Sequence, residues 1–168
     1  PIKSSAASDV YKRQHKYLPN IKHVTTYARA DSIARKSVSE LRELKTAGIE
    51  HLYCGMETGS DLILRKINKG FDAATIIISG TKAKEAGMVL SEFTLFGIGG
   101  KELAEENAVE TAKVLNVIKP DFVRVHATGI KLSSEMWNYV KNKELTLQSE
   151  EEIVSEQKIM LELLADDM

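Results

Sequence analysis

The chain has 168 residues, of which 43% are hydrophobic and 28% charged, so it can bury one substantial core and is not a disordered tail. Its 23 basic and 24 acidic side chains nearly cancel, which argues against nucleic-acid or membrane binding driven by bulk charge. Its single cysteine excludes an internal disulfide framework and a zinc site built from paired cysteine motifs.

The first 14 residues show no periodicity that continues into the rest of the chain. The stretch SAASDVYKRQ within them resembles translated adapter sequence, and the chain does not begin with methionine. We therefore expect residues 1–14 to be a non-native or disordered segment and residues 15–168 to form one domain. On this interpretation the natural protein begins upstream.

Strands and helices are predicted to alternate along the remainder of the chain. Segments rich in β-branched, aromatic and aliphatic residues predict strands over 21–30, 49–55, 89–96 and 122–127. Amphipathic spacing and capping residues predict helices over 32–47, 60–67, 72–85, 101–118 and 149–165. We expect Asp31 or Ser32 to cap the first helix, and Gly48 and Gly87 to follow helix C-termini.

This alternation, without a hairpin signal, predicts an α/β fold with a parallel sheet. A closed eight-stranded barrel needs about 250 residues, so about four βα units cannot close one. The chain is therefore either a small open sheet or the C-terminal part of a partial (β/α)6 TIM-like barrel. The unusual N-terminal segment favours the second interpretation.

Charged residues and glycines follow each predicted strand, at the edge where parallel α/β folds place their sites. Glu57 stands between Gly55 and Gly59, where the backbone can approach a ligand closely. Its carboxylate can hold an ammonium group or ribose hydroxyls. The alternative is that Glu57 stabilises the N-terminus of the helix that begins near Ser60.

Two cations near the same edge have structural alternatives too. Lys69 can meet a ligand carboxylate, although from the residues alone a contact with the end of its own helix is favoured. Arg29 can bind a carboxylate or form a salt bridge with Asp31. The glycines of residues 97–100 favour a tight turn over an anion site.

The fourth strand places Arg124 and His126 on one face, which would point into the interior of a barrel. A ligand cavity and a structural core histidine are equally compatible with this pattern, and we list both residues as candidate substrate contacts. Cys54 is expected to be a buried apolar residue.

Several motifs together resemble the later part of a radical S-adenosylmethionine (SAM) domain. They are YARADS, GMETGSDLILRKINKGF, TKAKEAG, LFGIGGKE and the stretch from Arg124 to Trp137. The resemblance covers roughly residues 21 to 165, and GMETGS…INKG is its most specific part. The similar subgroup includes the oxygen-independent coproporphyrinogen oxidases and the Elp3/MiaB-like proteins.

The resemblance implies an enzyme in which a 4Fe-4S cluster and an electron donor reduce SAM to methionine and a 5′-deoxyadenosyl radical. It implies that Glu57 contacts the ribose or methionyl part of SAM, Lys69 its carboxylate and Leu95 its adenine. Arg29 matches a basic strand-end residue that can also contact SAM. The substrate, small or macromolecular, is not identified by these residues.

The chain departs from the family pattern at three points. The cluster motif CxxxCxxC is absent, and three thiolates are needed, so we expect the chain alone to be inactive. On this interpretation the motif lies within about 70 residues upstream of Lys16, roughly two βα units. Lys69 replaces the usual arginine, and Phe93 occupies a position where some members carry an acid.

Two other functions stay open on sequence grounds. A small non-catalytic α/β ligand-binding module would cover its own sheet edges. An aldolase-type barrel enzyme would need a lysine inside a strand, and only Lys22, at a strand start, approaches this requirement. No apolar run can cross a bilayer and no secretory signal is visible, so we expect a cytoplasmic protein without a strong nucleic-acid signal.

Overall fold

The computed structural model describes residues 13–14, 16–21 and 23–168. The predicted non-native segment therefore lies outside the described residues, apart from Arg13 and Gln14. Four parallel strands form one sheet in the order β1-β2-β3-β4. They are β1 (Val24–Ala28), β2 (Ile49–Glu57), β3 (Val89–Phe96) and β4 (Phe122–Ala127).

Helices connect the strands, as parallel pairing requires. They are α1 (Ala30–Ala34), α2 (Val38–Thr46), α3 (Asp61–Lys66), α4 (Ala73–Glu85), α5 (Ala104–Ile118), α6 (Met136–Lys141) and α7 (Glu150–Glu162), with a 3₁₀ turn at Lys101–Leu103. Ser60 and Asp72 cap α3 and α4 through their side-chain oxygens. Gly48 and Gly87 follow α2 and α4 with positive φ angles, so both C-terminal predictions are confirmed.

The single helix predicted over 32–47 is wrong. The structure has two short helices there, because Ser37 starts a second one. Its hydroxyl accepts the Glu40 N–H, and the Glu40 carboxylate accepts the Ser37 N–H in return. The predicted caps are also wrong, since Arg29 is the N-cap of α1 and Asp31 lies in its first turn.

The sheet is open, as the partial-barrel prediction requires. Each strand pairs with its neighbours in chain order, which leaves β1 and β4 as the two outer strands. Within the described residues, neither outer strand has a partner on its far edge. The expected class, a parallel α/β sheet that corresponds to part of a TIM-like barrel, is confirmed.

The two faces of the sheet differ in composition. One face packs on the helices and carries Leu52, Cys54, Met56, Leu90 and Phe96, all buried. Cys54 is fully buried, which confirms its predicted place in the core. We call the other side the open face; its residues include Tyr27, His51, Tyr53, Gly55, Ser91, Phe93, Leu95, Phe122, Arg124 and His126.

The buried faces of α5 and α7 include polar residues. Val117 is 58% exposed, whereas Asn107 on the same helix is buried. Glu156 on α7 is buried, whereas Leu163, which follows the helix, is 45% exposed. The two buried polar residues contact each other, which explains why they displace apolar residues from the core.

In the part of the chain that is described, no helix combines the length and apolar character needed to traverse a lipid bilayer.

Candidate functional site

A cleft of about 530 Å³ lies at the carboxyl ends of the strands. Five of the six predicted site residues line it: Arg29, Glu57, Lys69, Leu95 and His126. The rings of Tyr27, Tyr53 and Phe93 complete much of its wall. The structure thus brings together residues from β1, β2, β3, β4 and the end of α3.

The irregular end of β2 brings Glu57 to the cleft. The pairing between β2 and β3 shifts between Gly55 and Glu57, and Glu57 has a φ of 64°. A left-handed conformation costs a non-glycine residue about 1–2 kcal/mol, so the surrounding structure must hold it in place. Strained residues of this kind cluster at functional sites.

Glu57 and Lys69 form an ion pair inside the cleft. Lys69 Nζ donates to Glu57 Oε1 over 2.7 Å, and the two side chains are only 21% (Glu57) and 17% (Lys69) exposed. The capping alternative for Glu57 is not observed, because the Ser60 hydroxyl accepts the Ile63 N–H at the start of α3. The alternative for Lys69, a contact of its amine with the end of its own helix, is not observed either, because the amine donates to Glu57.

Gly55 provides the space that this pair occupies. A Cβ atom at Gly55 would lie 2.3 Å from Glu57 Oε1 and 3.5 Å from Lys69 Nζ. Any larger side chain would therefore displace the Glu57 carboxylate. The two glycines that flank Glu57 serve different purposes, since Gly59 instead lets the chain approach the backbone of α5 closely.

Arg29 lies on the β1 side of the cleft and forms the salt bridge considered from sequence. Its Nε donates to Asp31 Oδ1 over 3.1 Å, and its Nη2 donates to the Lys69 carbonyl over 3.1 Å. Burial tends to raise the pKa of Asp31, but the hydrogen bond and the charge of Arg29 outweigh this effect and hold the pKa below its ordinary value. Both Arg29 and Lys69 also lie over the Phe71 ring.

The candidates on β3 and β4 occupy the open face. Leu95 and His126 are register partners and line the cleft. The His126 ring stacks on Phe93 with centroids 5.4 Å apart. Arg124 lies beside the cleft instead of in its lining, where its Nη2 donates to the Tyr53 hydroxyl over 2.9 Å.

The sequence interpretation missed several residues of this region. His51 and Tyr53 alternate with buried Leu52 and Cys54, so a strict period of two along β2 could have placed them on the open face. Glu92 is fully buried on the opposite face, and its carboxyl oxygens accept no hydrogen bond from the described residues. Burial raises the pKa of Glu92 to about 8.

The residues present do not form a metal or cluster site. Within the described ranges, no group of three His, Cys, Asp or Glu side chains could hold a metal ion. Cys54 is buried in the core, and burial raises the pKa of its thiol well above the ordinary value. A thiol in this state is a poor ligand, so a 4Fe-4S cluster does not fit these residues.

A second cavity, of about 870 Å³, lies outside the sheet between the helices. Two of its charged side chains form hydrogen bonds with the backbone of neighbouring helices and loops. Asp72 caps α4, and Lys82 donates to the Ala34 and Lys36 carbonyls. Because no strand residue lines this cavity, whereas all four strands contribute to the smaller cleft, the smaller cleft is the better candidate site.

Comparison with known proteins identifies relatives by structure only. No protein-family model matches the chain, and no curated protein matches it significantly in sequence. Among solved structures, archaeal Methanocaldococcus infernus Elp3 lacking residues 1–46 has a TM-score of 0.67 and 17% identity over 84% of this chain. Escherichia coli coproporphyrinogen III oxidase (HemN), described as a radical SAM enzyme, has a TM-score of 0.65 and 15% identity over 95%.

Methylornithine synthase (PylB) is similar as well, with a TM-score of 0.62 and 16% identity over 96% of this chain. The chain spans only 32%, 35% and 44% of Elp3, HemN and PylB, respectively. At these identities the likeness concerns the fold. The chain therefore has the α/β fold of one part of these three proteins, an open parallel sheet with a cleft at its carboxyl edge.

Proposed function

We propose that this chain is the SAM-binding part of a radical SAM enzyme. The proposal is supported by the shared fold with HemN and by the sequence motifs that resemble this family. One observation carries it: Glu57 and Lys69, to which the resemblance assigns SAM contacts, meet 2.7 Å apart in the cleft.

The cleft offers complementary charges for the amino-acid part of SAM, which carries one ammonium and one carboxylate group. Only Oε1 of Glu57 accepts from Lys69, so Oε2 can accept from an ammonium group or a ribose hydroxyl. Lys69 has two further N–H donors, and Arg29 adds a second cation at the cleft. Lysine binds a carboxylate as a point charge, without the paired geometry of arginine.

The opposite wall suits the nucleoside part. Leu95, Phe93 and Tyr53 present apolar and aromatic surface on neighbouring strands of the cleft. Adenine is a flat ring that stacks on such side chains. On this proposal Leu95 contacts adenine, and no carboxylate at position 93 is available for the ribose.

When bound at a reduced cluster, SAM supplies methionine and a 5′-deoxyadenosyl radical. The chain has one cysteine, which is buried, so the cluster thiolates would have to come from polypeptide other than these 168 residues. The role of the described residues is to bind and orient SAM, with Arg124 and His126 as candidate substrate contacts; the chain alone is expected to be inactive.

Two features weigh against the other functions considered. None of the four strands contains a lysine, which an aldolase-type mechanism would need. A self-contained binding module would cover its sheet edges, whereas within the described residues each outer strand has a strand partner on one side only.

Calorimetric titration of SAM into the 168-residue chain tests the proposal. We expect Glu57→Ala and Lys69→Met each to weaken SAM binding by about tenfold, because each removes a charge-assisted hydrogen bond. Matched controls are Glu50→Ala, on the same strand, and Lys66→Met, on the preceding helix; neither residue lines the cleft.

Circular dichroism establishes that each variant is folded. Failure of SAM to bind the folded chain would contradict the proposal. Equal affinities for the two cleft variants and their controls would also contradict it, because SAM would then bind elsewhere.

A further inference from the structure

The open face of the sheet carries a continuous set of aromatic and imidazole rings that extends beyond the cleft. We call it the ring cluster; it comprises Tyr27, His51, Tyr53, Phe93, Phe122 and His126. Neighbouring centroids lie 4.8 to 5.7 Å apart along the path Tyr27, Tyr53, Phe93, His126 and the path Tyr53, His51, Phe122. Tyr27 is 77% exposed and Phe122 is 53% exposed, so part of the cluster is open to solvent.

Strand register creates this cluster. Tyr27 pairs with Tyr53, Tyr53 with Ser91, and Ser91 with Phe122, so these side chains share one face of three consecutive strand pairs. A partly exposed aromatic surface of this kind, in which some rings are stacked and others meet edge to face, favours another planar ring.

Arg124 places a positive charge on the ring cluster. Its guanidinium carbon lies 4.6 Å from the Tyr53 centroid and 5.9 Å from the Phe93 centroid. Its Nη2 donates to the Tyr53 hydroxyl, while its buried Nε has no hydrogen-bond partner in the part of the chain that the structure describes. The guanidinium is thus held in position with donor capacity to spare.

No carboxylate among the described residues lies within 4.0 Å of Arg124. Glu57, at the mouth of the cleft, is already paired with Lys69. Asp121, at the start of β4, accepts from Lys84 and from the Leu90 N–H. The charge of Arg124 therefore has no nearby counter-ion on the open face.

His51 does not change the charge of the open face. Burial, and then the charge of Arg124, lower the pKa of His51, so its imidazole is neutral near neutral pH. The His51 Nε2 lies 2.9 Å from the Ser91 hydroxyl, which fixes the ring in the cluster. Arg124 is the charge that a ligand on these rings would meet.

His51, Phe122 and Arg124 do not line the SAM cleft, whereas Tyr53 and Phe93 do. The ring cluster therefore continues from the cleft along the strands toward their amino ends. A ligand on this continuation would lie beside the proposed SAM site without occupying it.

We propose that the substrate of this site is a small molecule with a planar, unsaturated ring and an anionic group, carboxylate or phosphate. The ring packs on Phe122 and its neighbour His51, which lie outside the cleft, and the anionic group binds Arg124. This inference rests on the proposed function, because it takes the open face beside the SAM cleft to be the substrate side. The pairing of a cation with aromatic rings favours flat anions over saturated acids or amines.

Four probes of similar size test the inference on the 168-residue chain by NMR titration of backbone amides. They are 2-naphthoate, 2-naphthyl phosphate, the saturated decahydro-2-naphthoate and the cationic 2-naphthylmethylammonium. We expect at least one aromatic anion to shift the signals of β2, β3 and β4 and to bind about tenfold more tightly than the saturated acid and the cation. The comparison of the first two probes distinguishes a carboxylate from a phosphate substrate.

Variants at Arg124 test whether this residue binds the anionic group. Arg124→Met is expected to weaken binding of the aromatic anion by about tenfold. Arg124→Lys should weaken it less, because lysine keeps the positive charge but lacks the planar guanidinium. Arg42→Met, at an exposed arginine on α2, is the matched control and leaves binding unchanged. If Arg124→Met does not fold, Arg124→Lys and the probe series still decide the outcome.

The inference is overturned if all four probes bind equally or if none binds. It is also overturned if the aromatic anion binds wild type and the Arg124 variants with the same affinity. A SAM titration of the same samples separates the two hypotheses. If SAM binds through Glu57 but no aromatic anion binds, the inference fails alone. If the anion binds through Arg124 and SAM does not bind, the proposed function fails.

Discussion

Lys69 Nζ and Glu57 Oε1 lie 2.7 Å apart, although the two residues are separated by 12 positions and by helix α3. The contact joins the end of β2 to the end of α3 inside a partly enclosed cleft. It is neither a helix cap nor an exposed surface pair. A shielded ion pair at the carboxyl edge of a parallel sheet is well placed to meet a zwitterionic ligand.

Gly55→Ala is predicted to impair SAM binding while leaving the fold intact. The new Cβ would lie 2.3 Å from Glu57 Oε1, and a flexible carboxylate can move away from it. We expect SAM affinity to fall about tenfold and the free energy of unfolding to change by less than about 1 kcal/mol. Calorimetry and urea unfolding measure the two quantities.

Gly59→Ala is the matched control, with the opposite pattern. Its Cβ would lie 2.1 Å from the backbone oxygen of Glu110, which cannot move without shifting α5. We expect it to destabilise the fold by about 1–3 kcal/mol. If Gly55→Ala costs as much stability as Gly59→Ala, the role assigned to Gly55 is wrong.

The strained backbone of Glu57 can be measured by comparing two variants at that position. Glu57→Ala and Glu57→Gly both remove the ion pair with Lys69, but only glycine adopts a φ of 64° without cost. We expect the glycine variant to be more stable than the alanine variant by about 1 kcal/mol in urea unfolding. Both variants should bind SAM weakly; equal stabilities would show that the conformation stores no strain.

Glu92 is predicted to make stability depend on pH. Burial raises its folded-state pKa to about 8 from an ordinary value of 4.5. Between these pH values the unfolded chain has lost a proton that the folded chain still holds, so the free energy of unfolding falls as pH rises. The contribution is fully present below about pH 4.5 and is lost as pH rises through about 8.

The Glu92→Gln variant removes this titration. We expect the stability of the variant relative to wild type to rise between about pH 5 and about pH 8 in urea unfolding followed by circular dichroism. Glu105→Gln, at an exposed position on α5, should leave the wild-type pH profile unchanged. A parallel profile for Glu92→Gln and wild type would show that Glu92 ionises normally in the fold.

Glu156 is predicted to anchor α7 to the end of β3. Its Oε2 accepts the Gly97 N–H over 2.9 Å, and its Oε1 accepts from Asn107 Nδ2 over 2.6 Å. Glu156→Ala leaves the Gly97 N–H and one N–H of the Asn107 amide without acceptors, while Asn107 keeps its bond to the Leu95 carbonyl, and should cost about 2–3 kcal/mol of unfolding free energy. The control Glu162→Ala, at an exposed position on the same helix, should change stability by less than about 0.5 kcal/mol. Similar losses for both variants would contradict an anchoring role.

Much of the fold could be predicted from local patterns. The third and fourth strands have the predicted limits, and Ser60, Asp72, Gly48 and Gly87 act at helix ends as expected. These features depend on residues close together in the chain. The split of the first predicted helix was missed because the reciprocal contact between Ser37 and Glu40 outweighs a continuous apolar spacing.

The candidate site could also be predicted from the sequence, because charged residues and glycines follow each predicted strand. Five of the six predicted residues line one cleft, although their roles stay predictions. The sixth, Arg124, extends along the open face to Tyr53, 71 positions away. Nothing local to β4 could reveal that contact.

The sequence by itself determined the order of strands and helices, the capping residues and the edge of the sheet at which charge collects, because backbone preference and side-chain periodicity act over a few residues. Only the tertiary structure decided that Glu57 pairs with Lys69, that rings from four strands form one surface, and that Glu92 and Glu156 are buried. Register between strands and packing of helices bring distant residues together, and the energy of a charge depends on what then surrounds it.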